Sequence, residues 1–131
     1  MLSPGLDPSG TSMSPASAHP PILDLDHLRR QTFGDAALER ELLALFEEQC
    51  ARLTPMMTGA LPRPERADAA HTLKGSARAI GAWRLAALAD EVETALRDGA
   101  GDVAAARLSG FQAAMQATGE AIAERRRAGV A

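Results

Sequence analysis

Residues 70–93 read AHTLKGSARAIGAWRLAALADEVE, and the fold of the chain can be worked out from this stretch. On a helix, where each residue turns by about 100°, its apolar positions form one narrow arc. These positions are Ala70, Leu73, Ala77 and Ile80. A roughly opposite arc holds His71, Lys74, Gly75 and Arg78. The stretch therefore predicts a helix with one face for a core and one face that carries an imidazole and two cations.

Gly75 stands in the middle of this predicted helix, one turn after His71. A glycine there costs roughly 1 kcal/mol of helix stability relative to alanine. A surface helix gains nothing from that cost unless another molecule has to come close to it. With Lys74 beside it, the pattern indicates a histidine that a large, negatively charged partner approaches.

The hexapeptide HTLKGS at residues 71–76, followed by Gly81, Leu85 and Glu93, resembles the core signature of histidine-containing phosphotransfer (HPt) domains. The resemblance runs roughly from Ile22 to the C-terminus. In that family the histidine carries a phosphoryl group between the aspartates of receiver domains. The resemblance implies that His71 is phosphorylated at Nε2, with Lys74 as its cationic neighbour. Gly75 would then leave clearance for the incoming receiver.

Gln49 interrupts an otherwise apolar stripe on the preceding predicted helix. An amide on an inward face needs hydrogen-bond partners, because an unsatisfied buried polar group costs roughly 1–3 kcal/mol. Several HPt domains have a glutamine that bonds to the histidine ring, and the resemblance gives Gln49 that role toward His71. Periodicity alone equally allows a glutamine at the edge of the stripe that reaches solvent.

The resemblance also suggests where a partner would bind. HPt domains use their first helix as part of the apolar surface that docks a receiver, which implies a docking role for Ile22 and Leu25. These two residues could equally cap the bundle, and the sequence does not decide between docking and capping. Arg78 and Arg84 would extend the positive surface around His71.

The chain divides into a tail and one domain. Residues 1–21 are rich in Ser, Pro and Gly, so they cannot bury enough apolar surface to fold, and we expect a disordered tail. Residues 22–131 are rich in Ala and Leu, which favours helices. A short helix is expected at residues 22–33, followed by Gly34, and four amphipathic helices come after it. The fold class is therefore all-α: an antiparallel up-down four-helix bundle with an additional short N-terminal helix.

Capping residues and apolar stripes define the four long helices. Asp35 and Asp102 are expected to cap the first and the last of them, and Pro64 and Gly81 mark the start and end of the histidine helix. Pro55 is expected to kink or end the first long helix near Thr54. The predicted inward stripes are Leu38, Leu42, Leu45, Phe46, Leu53 and Met56; Leu85, Leu88, Val92 and Leu96; and Leu108, Phe111, Met115, Thr118 and Ile122.

Composition excludes several classes of protein. A net charge of −3 argues against a nucleic-acid binder. The lone Cys50 fits a reducing compartment, and no apolar run approaches the roughly 20 residues of a membrane span. The N-terminus does not read as a secretory signal. We expect a small cytoplasmic protein that is monomeric and has no contact with membranes.

The expected chemistry is that of a carrier and not of an enzyme. Lys74-Gly75-Ser76 lacks the glycine-rich lead-in of a phosphate-binding loop, and no acidic cluster in the His71 arc would hold magnesium. No metal or cofactor is therefore expected on this chain, and Mg²⁺ is expected only in the partner. That partner would be the receiver domain of a response regulator, a hybrid histidine kinase, or both.

Two other functions compete with phosphotransfer. One is an HPt-like module that docks a receiver or a histidine kinase without being phosphorylated, although His71, Lys74 and Gly75 are all present. The other is a metal- or haem-binding bundle. The three histidines of the chain, at positions 19, 27 and 71, do not have the spacing of metal or haem ligands, which argues against this function.

Overall fold

The computed structural model describes residues 21–129, and all the regular structure within that range is helical. The helices are α1 (Leu25–Gln31), α2 (Ala36–Thr58), α3 (Arg63–Ile80), α4 (Trp83–Arg97) and α5 (Gly101–Gly129). The all-α prediction is confirmed. Apart from Pro21, the tail predicted at residues 1–21 lies outside the described part of the chain.

The four long helices enclose one apolar core. Each packs on the next along the chain, α2 also contacts α5, and α1 packs on α3. The predicted apolar arc of α3 is buried in full, at Ala70, Leu73, Ala77 and Ile80. The opposite arc of α3 is thereby left for the surface and for contacts with α4.

Asp24 attaches α1 to the turn between α3 and α4. Its carboxylate caps α1 by accepting from the backbone N–H of His27, and it also accepts from Trp83 Nε1 at 2.9 Å. Its own backbone N–H donates to the carbonyl of Gly81. Gly81 ends α3 with a φ of +81°, and a Cβ there would lie 2.9 Å from the carbonyl oxygen of Asp24. Glycine is therefore required at this turn, as the sequence predicted.

The end of α1 departs from the prediction. Gly34 was expected to follow the helix, but the first left-handed residue after the helix is Phe33, with a φ of +54°, and Gly34 comes second at +73°. The backbone N–H of Gly34 donates to Arg29 and that of Phe33 to Arg30, which is the usual bonding of a helix end closed by a left-handed residue. The Phe33 side chain is 88% exposed. It therefore adds little burial to offset the strain of a left-handed phenylalanine.

Replacing Phe33 with glycine is expected to stabilise the protein by about 0.5–1 kcal/mol. Relief of the left-handed strain outweighs the extra backbone entropy of glycine in the unfolded chain, and no buried contact is lost. Urea unfolding should show a higher midpoint with an unchanged slope. Phe33→Ala is the control, because it removes the ring but keeps a Cβ. Equal stabilisation by both substitutions would contradict the strain argument.

Two helix boundaries differ from the expectations. Pro55 was expected to kink or end the first long helix near Thr54, and the helix does not end there, because α2 continues through Pro55 to Thr58. Pro55 is exposed, while Leu53 and Met57 on either side of it are buried in the core, and their burial offsets the backbone hydrogen bond that a proline removes. At the other boundary, α5 begins at Gly101, so Asp102 lies in its first turn instead of capping it.

The predicted core face of α2 was partly wrong. Its buried side chains are Leu43, Phe46, Cys50, Leu53 and Met57. Leucines occupy two faces of this helix, and the predicted stripe mixed them. Leu38 and Leu45 are 37% and 52% exposed, and Leu42 is half-buried. Leu38, Leu42 and Leu45, spaced four and three residues apart, form a second apolar face, which we call the α2 strip.

Candidate functional site

His71 lies in the middle of α3 with its side chain 63% exposed. Its Nδ1 is 3.2 and 3.1 Å from the two carboxylate oxygens of Glu93 on α4. A carboxylate at Nδ1 favours the tautomer in which that nitrogen carries the proton, so Nε2 keeps its lone pair. The ring is thus oriented from one side and has a nucleophilic nitrogen on the other.

Glu93 is the centre of a charged cluster. Its side chain is only 10% exposed, and it accepts from Lys74 Nζ and from Arg97 Nε, each at 2.9 Å. Burial raises the pKa of Glu93, but hydrogen bonds from Lys74, Arg97 and His71 outweigh burial and bring the pKa down to about 2. Glu93 is therefore ionised at neutral pH, and its carboxylate accepts the hydrogen bond from His71 Nδ1.

Glu93 belongs to the signature that the sequence resembles, but no role was predicted for it. A signal was present in the sequence, since Glu93 follows Val92 on the inward side of α4 and precedes Leu96 by three residues. An acid beside an apolar stripe needs a cationic or hydrogen-bonding partner. Its partners come from α3, however, and periodicity within α4 alone could not identify them.

Lys74 was predicted to be the cationic neighbour of His71 on the arc opposite the core, but the structure places its ammonium in ion pairs with α4. Its side chain is 13% exposed, and Nζ lies 2.9 Å from carboxylate oxygens of both Asp90 and Glu93. The hydrogen bond with Glu93, followed by the one with Asp90, raises the pKa of Lys74. The ammonium is therefore held in an ion-pair network with α4, which Arg97 extends to Asp68 at 3.1 Å.

Gln49 does not make the expected hydrogen bond to His71. Its Oε1 accepts from the hydroxyl of Ser76, while His71 Nδ1 faces Glu93. Gln49 nevertheless lines the same cleft as the imidazole. With its amide oxygen engaged by Ser76, the amide nitrogen keeps two N–H donors for other partners.

An open cleft of about 440 Å³ lies between α2 and α3 beside His71. It is lined by Leu42, Leu45, Phe46, Gln49, His71, Thr72, Gly75, Ser76, Ala79 and Ile80. Gly75 is exposed in it, and a Cβ on that residue would meet no atom within 4 Å. The space above Gly75 is thus open in the free protein, and two leucines of the α2 strip form an apolar wall beside the imidazole.

The other predicted partner-binding residues lie apart from this cleft. Arg78 and Arg84 are both exposed, and neither has an ion-pair partner among residues 21–129. Ile22 and Leu25 are half-buried and share a groove with α5, and Ile22 and Arg84 share another groove with Trp83. The structure therefore brings together His71, Gly75 and Gln49 in one cleft, and it places Ile22, Leu25 and Arg84 outside it.

The described residues offer no cluster of three or more His, Cys, Asp or Glu side chains that could hold a metal ion. His27 packs its ring edge-on against Trp83, with 4.7 Å between ring centroids, and His71 pairs with Glu93. Within residues 21–129, no helix is both long and apolar enough to cross a membrane.

Replacing Glu93 with glutamine is expected to lower the free energy of unfolding at pH 7 by about 1–3 kcal/mol, because three donors lose their charged acceptor. The folded pKa, about 2, lies below the ordinary value of 4.5. The stabilisation from Glu93 is therefore present above about pH 4.5 and is lost as pH falls toward 2.

Urea unfolding of wild type and variant across this pH range would measure the effect. The two should differ most at neutral pH and converge in acid. Glu91→Gln on the same helix is the control, because Glu91 is about half exposed and pairs with Arg107 at 3.4 Å. That substitution should cost at most about 1 kcal/mol. A Glu93→Gln deficit that stays constant down to pH 2 would contradict the linkage argument.

An exposed imidazole that a buried carboxylate orients on an all-α bundle defines a class of protein: a helical module that presents a histidine at its surface. Comparison with known proteins identifies the family. The Hpt domain family model matches residues 41–121, and the chain belongs to this family. The chain thus has a phosphorelay role of the Hpt kind, and Hpt domains are phosphocarrier modules whose partners include receiver domains.

The chain is also similar to a solved structure, the histidine phosphotransferase ShpA from Caulobacter crescentus. The two are 29% identical with a TM-score of 0.53, and the match covers 79% of this chain and 97% of ShpA. No curated protein sequence matches this chain.

Proposed function

We propose that His71 accepts a phosphoryl group at Nε2 from the aspartyl phosphate of a receiver domain and passes it to the aspartate of another. The observation that carries this proposal is the exposed imidazole whose Nδ1 contacts the ionised carboxylate of Glu93. The bundle that holds it would be the up-down antiparallel arrangement of α2 to α5. Receivers of response regulators and of hybrid histidine kinases are the proposed partners.

The transfer needs no proton movement on this chain. The Nε2 lone pair attacks phosphorus, the P–N bond forms, and the P–O bond to the receiver's aspartate breaks, which returns that carboxylate to its ionised form. Because Nδ1 keeps its proton, the phosphorylated ring carries a positive charge. Glu93, 3.1 Å away, stabilises that charge. Transfer to the next receiver reverses these steps, and Mg²⁺ is supplied by the receiver.

Lys74 serves this reaction mainly by holding Glu93. Its ammonium contacts two carboxylates, and to reach a phosphoryl oxygen it would have to leave at least one of them. Gln49 lies in the cleft with its amide nitrogen available, so we assign it to the phosphoryl oxygens instead of to ring orientation. Arg78 adds positive charge at the exposed surface of α3.

The receiver would dock over the cleft. Leu42 and Leu45 of the α2 strip supply apolar surface next to His71, and the open space at Gly75 lets the partner approach α3 closely. An apolar patch beside polar and charged residues is typical of transient protein interfaces. Docking there would also exclude water from the reacting nitrogen.

The test is transfer from a phosphorylated receiver to the purified chain. Label that is acid-labile and alkali-stable should appear on the chain, and mass spectrometry should place it on His71. Stable complex formation with no label, even with a receiver that phosphorylates other HPt proteins, would instead support the alternative of a docking module that is not phosphorylated.

A further inference from the structure

A second cavity, of about 120 Å³, lies where the α1–α2 turn meets the first turns of α2 and the last turns of α5. We call it the arginine cavity, because four guanidinium-bearing residues line it from three helices. Its lining is Arg29, Gly34, Ala36, Glu39, Arg40, Leu43, Arg125 and Arg126. None of these residues lines the His71 cleft.

Three carboxylates pair with three of the four arginines of the cavity, and these arginines keep unused N–H donors. Glu39, the one acidic residue in the lining, is engaged at both oxygens by Arg125, at 2.9 and 3.0 Å. Arg126 contacts Glu47 and Arg29 contacts Asp26, each through one guanidinium nitrogen. A guanidinium has five N–H donors, so each of these arginines keeps several.

Arg40 differs from the other three arginines. It has no ion-pair partner within residues 21–129, and it is an exposed residue of the cavity lining. Three of the four arginines are paired with carboxylates, so the charge of Arg40 is the one left unpaired, and a bound anion would balance it. Planar guanidinium groups match the oxygens of a tetrahedral anion especially well.

We propose that the arginine cavity binds a phosphate dianion, either free or as the terminal group of a small phosphomonoester. The cavity size and the convergence of guanidinium groups from α1, α2 and α5 carry the proposal. A bound phosphate would join α1 and the end of α5 to the start of α2. The site is independent of His71, so it does not depend on the phosphotransfer proposal.

Titration with inorganic phosphate at constant ionic strength, followed by amide NMR, tests the proposal. The backbone signals of Gly34 and Ala36 should shift along a saturable curve, and glycerol 3-phosphate in a parallel titration shows whether the free ion or the ester binds more tightly. Arg40→Ala should weaken binding about tenfold or more, because it removes a charged donor. Its fold should persist, since Arg40 has no ion-pair partner to lose.

Two matched variants make the result specific. Arg78→Ala removes another exposed and unpaired arginine, from α3, and His71→Gln removes the imidazole of the cleft. Both variants should bind phosphate as the wild type does. Shifts confined to α3, equal weakening by Arg40→Ala and Arg78→Ala, or no saturable shift at Gly34 and Ala36 would each overturn the proposal.

Discussion

The His71→Gln variant is expected to accept no phosphoryl group from a phosphorylated receiver while keeping its fold and its receiver binding. Glutamine offers no nitrogen lone pair that can attack phosphorus, because its amide nitrogen is conjugated with the carbonyl. Its N–H groups can still donate to Glu93. Label should fall to background in the assay that labels the wild type.

The fold should survive because the His71 side chain contributes little to the core. The ring is mostly exposed, and Glu93 keeps Lys74 and Arg97 when the imidazole is gone. The free energy of unfolding should fall by about 0.5–1.5 kcal/mol at most, the usual contribution of one hydrogen bond. Equal labelling of variant and wild type would refute His71 as the acceptor.

Sequence periodicity predicted α3 well because that helix has a single apolar arc. Ala70, Leu73, Ala77 and Ile80 are all buried, and Gly81 has the left-handed backbone that ends the helix. These features depend on residues near one another in the chain. The family model confirms the resemblance that the HTLKGS signature indicated.

The contacts of the site were harder to predict because they join different helices. Lys74 lies in the polar arc of α3, and only the position of α4 decides that its ammonium meets Asp90 and Glu93 instead of water. Similarly, the sequence places Gln49 near the histidine helix but cannot decide between His71 and Ser76 as its partner. Periodicity within one helix carries no information on such choices.

The two apolar faces of α2 show a related limit. The leucine positions of α2 fit a core stripe and a partner surface equally well, since both need apolar residues three and four apart. In the structure Leu43 and Phe46 face the core, while Leu45 stays exposed beside the His71 cleft. The apolar residues of α2 that were all predicted to face the core are therefore divided between the core and the proposed docking surface.

Replacing Gly75 with leucine should separate stability from function most clearly. Leucine has the higher helix propensity by roughly 0.8 kcal/mol, and the space around Gly75 is open in the free protein, so the variant should be somewhat more stable. Receiver binding should weaken by at least about tenfold, because a branched side chain would stand where the partner must approach α3. Calorimetric titration with a receiver and urea unfolding would measure the two effects.

The weaker receiver binding of Gly75→Leu should result from obstructed docking, and His71 should remain a competent nucleophile. Phosphoramidate, a donor far smaller than a receiver, should still phosphorylate His71 in this variant, because Nδ1 keeps its contact with Glu93 and Nε2 stays exposed. Gly119→Ala in α5 is the control, since a Cβ there also meets nothing within 4 Å. It should raise stability without changing receiver affinity. Undiminished receiver binding by Gly75→Leu would refute the clearance argument, since the receiver would then reach His71 without approaching α3 at this residue.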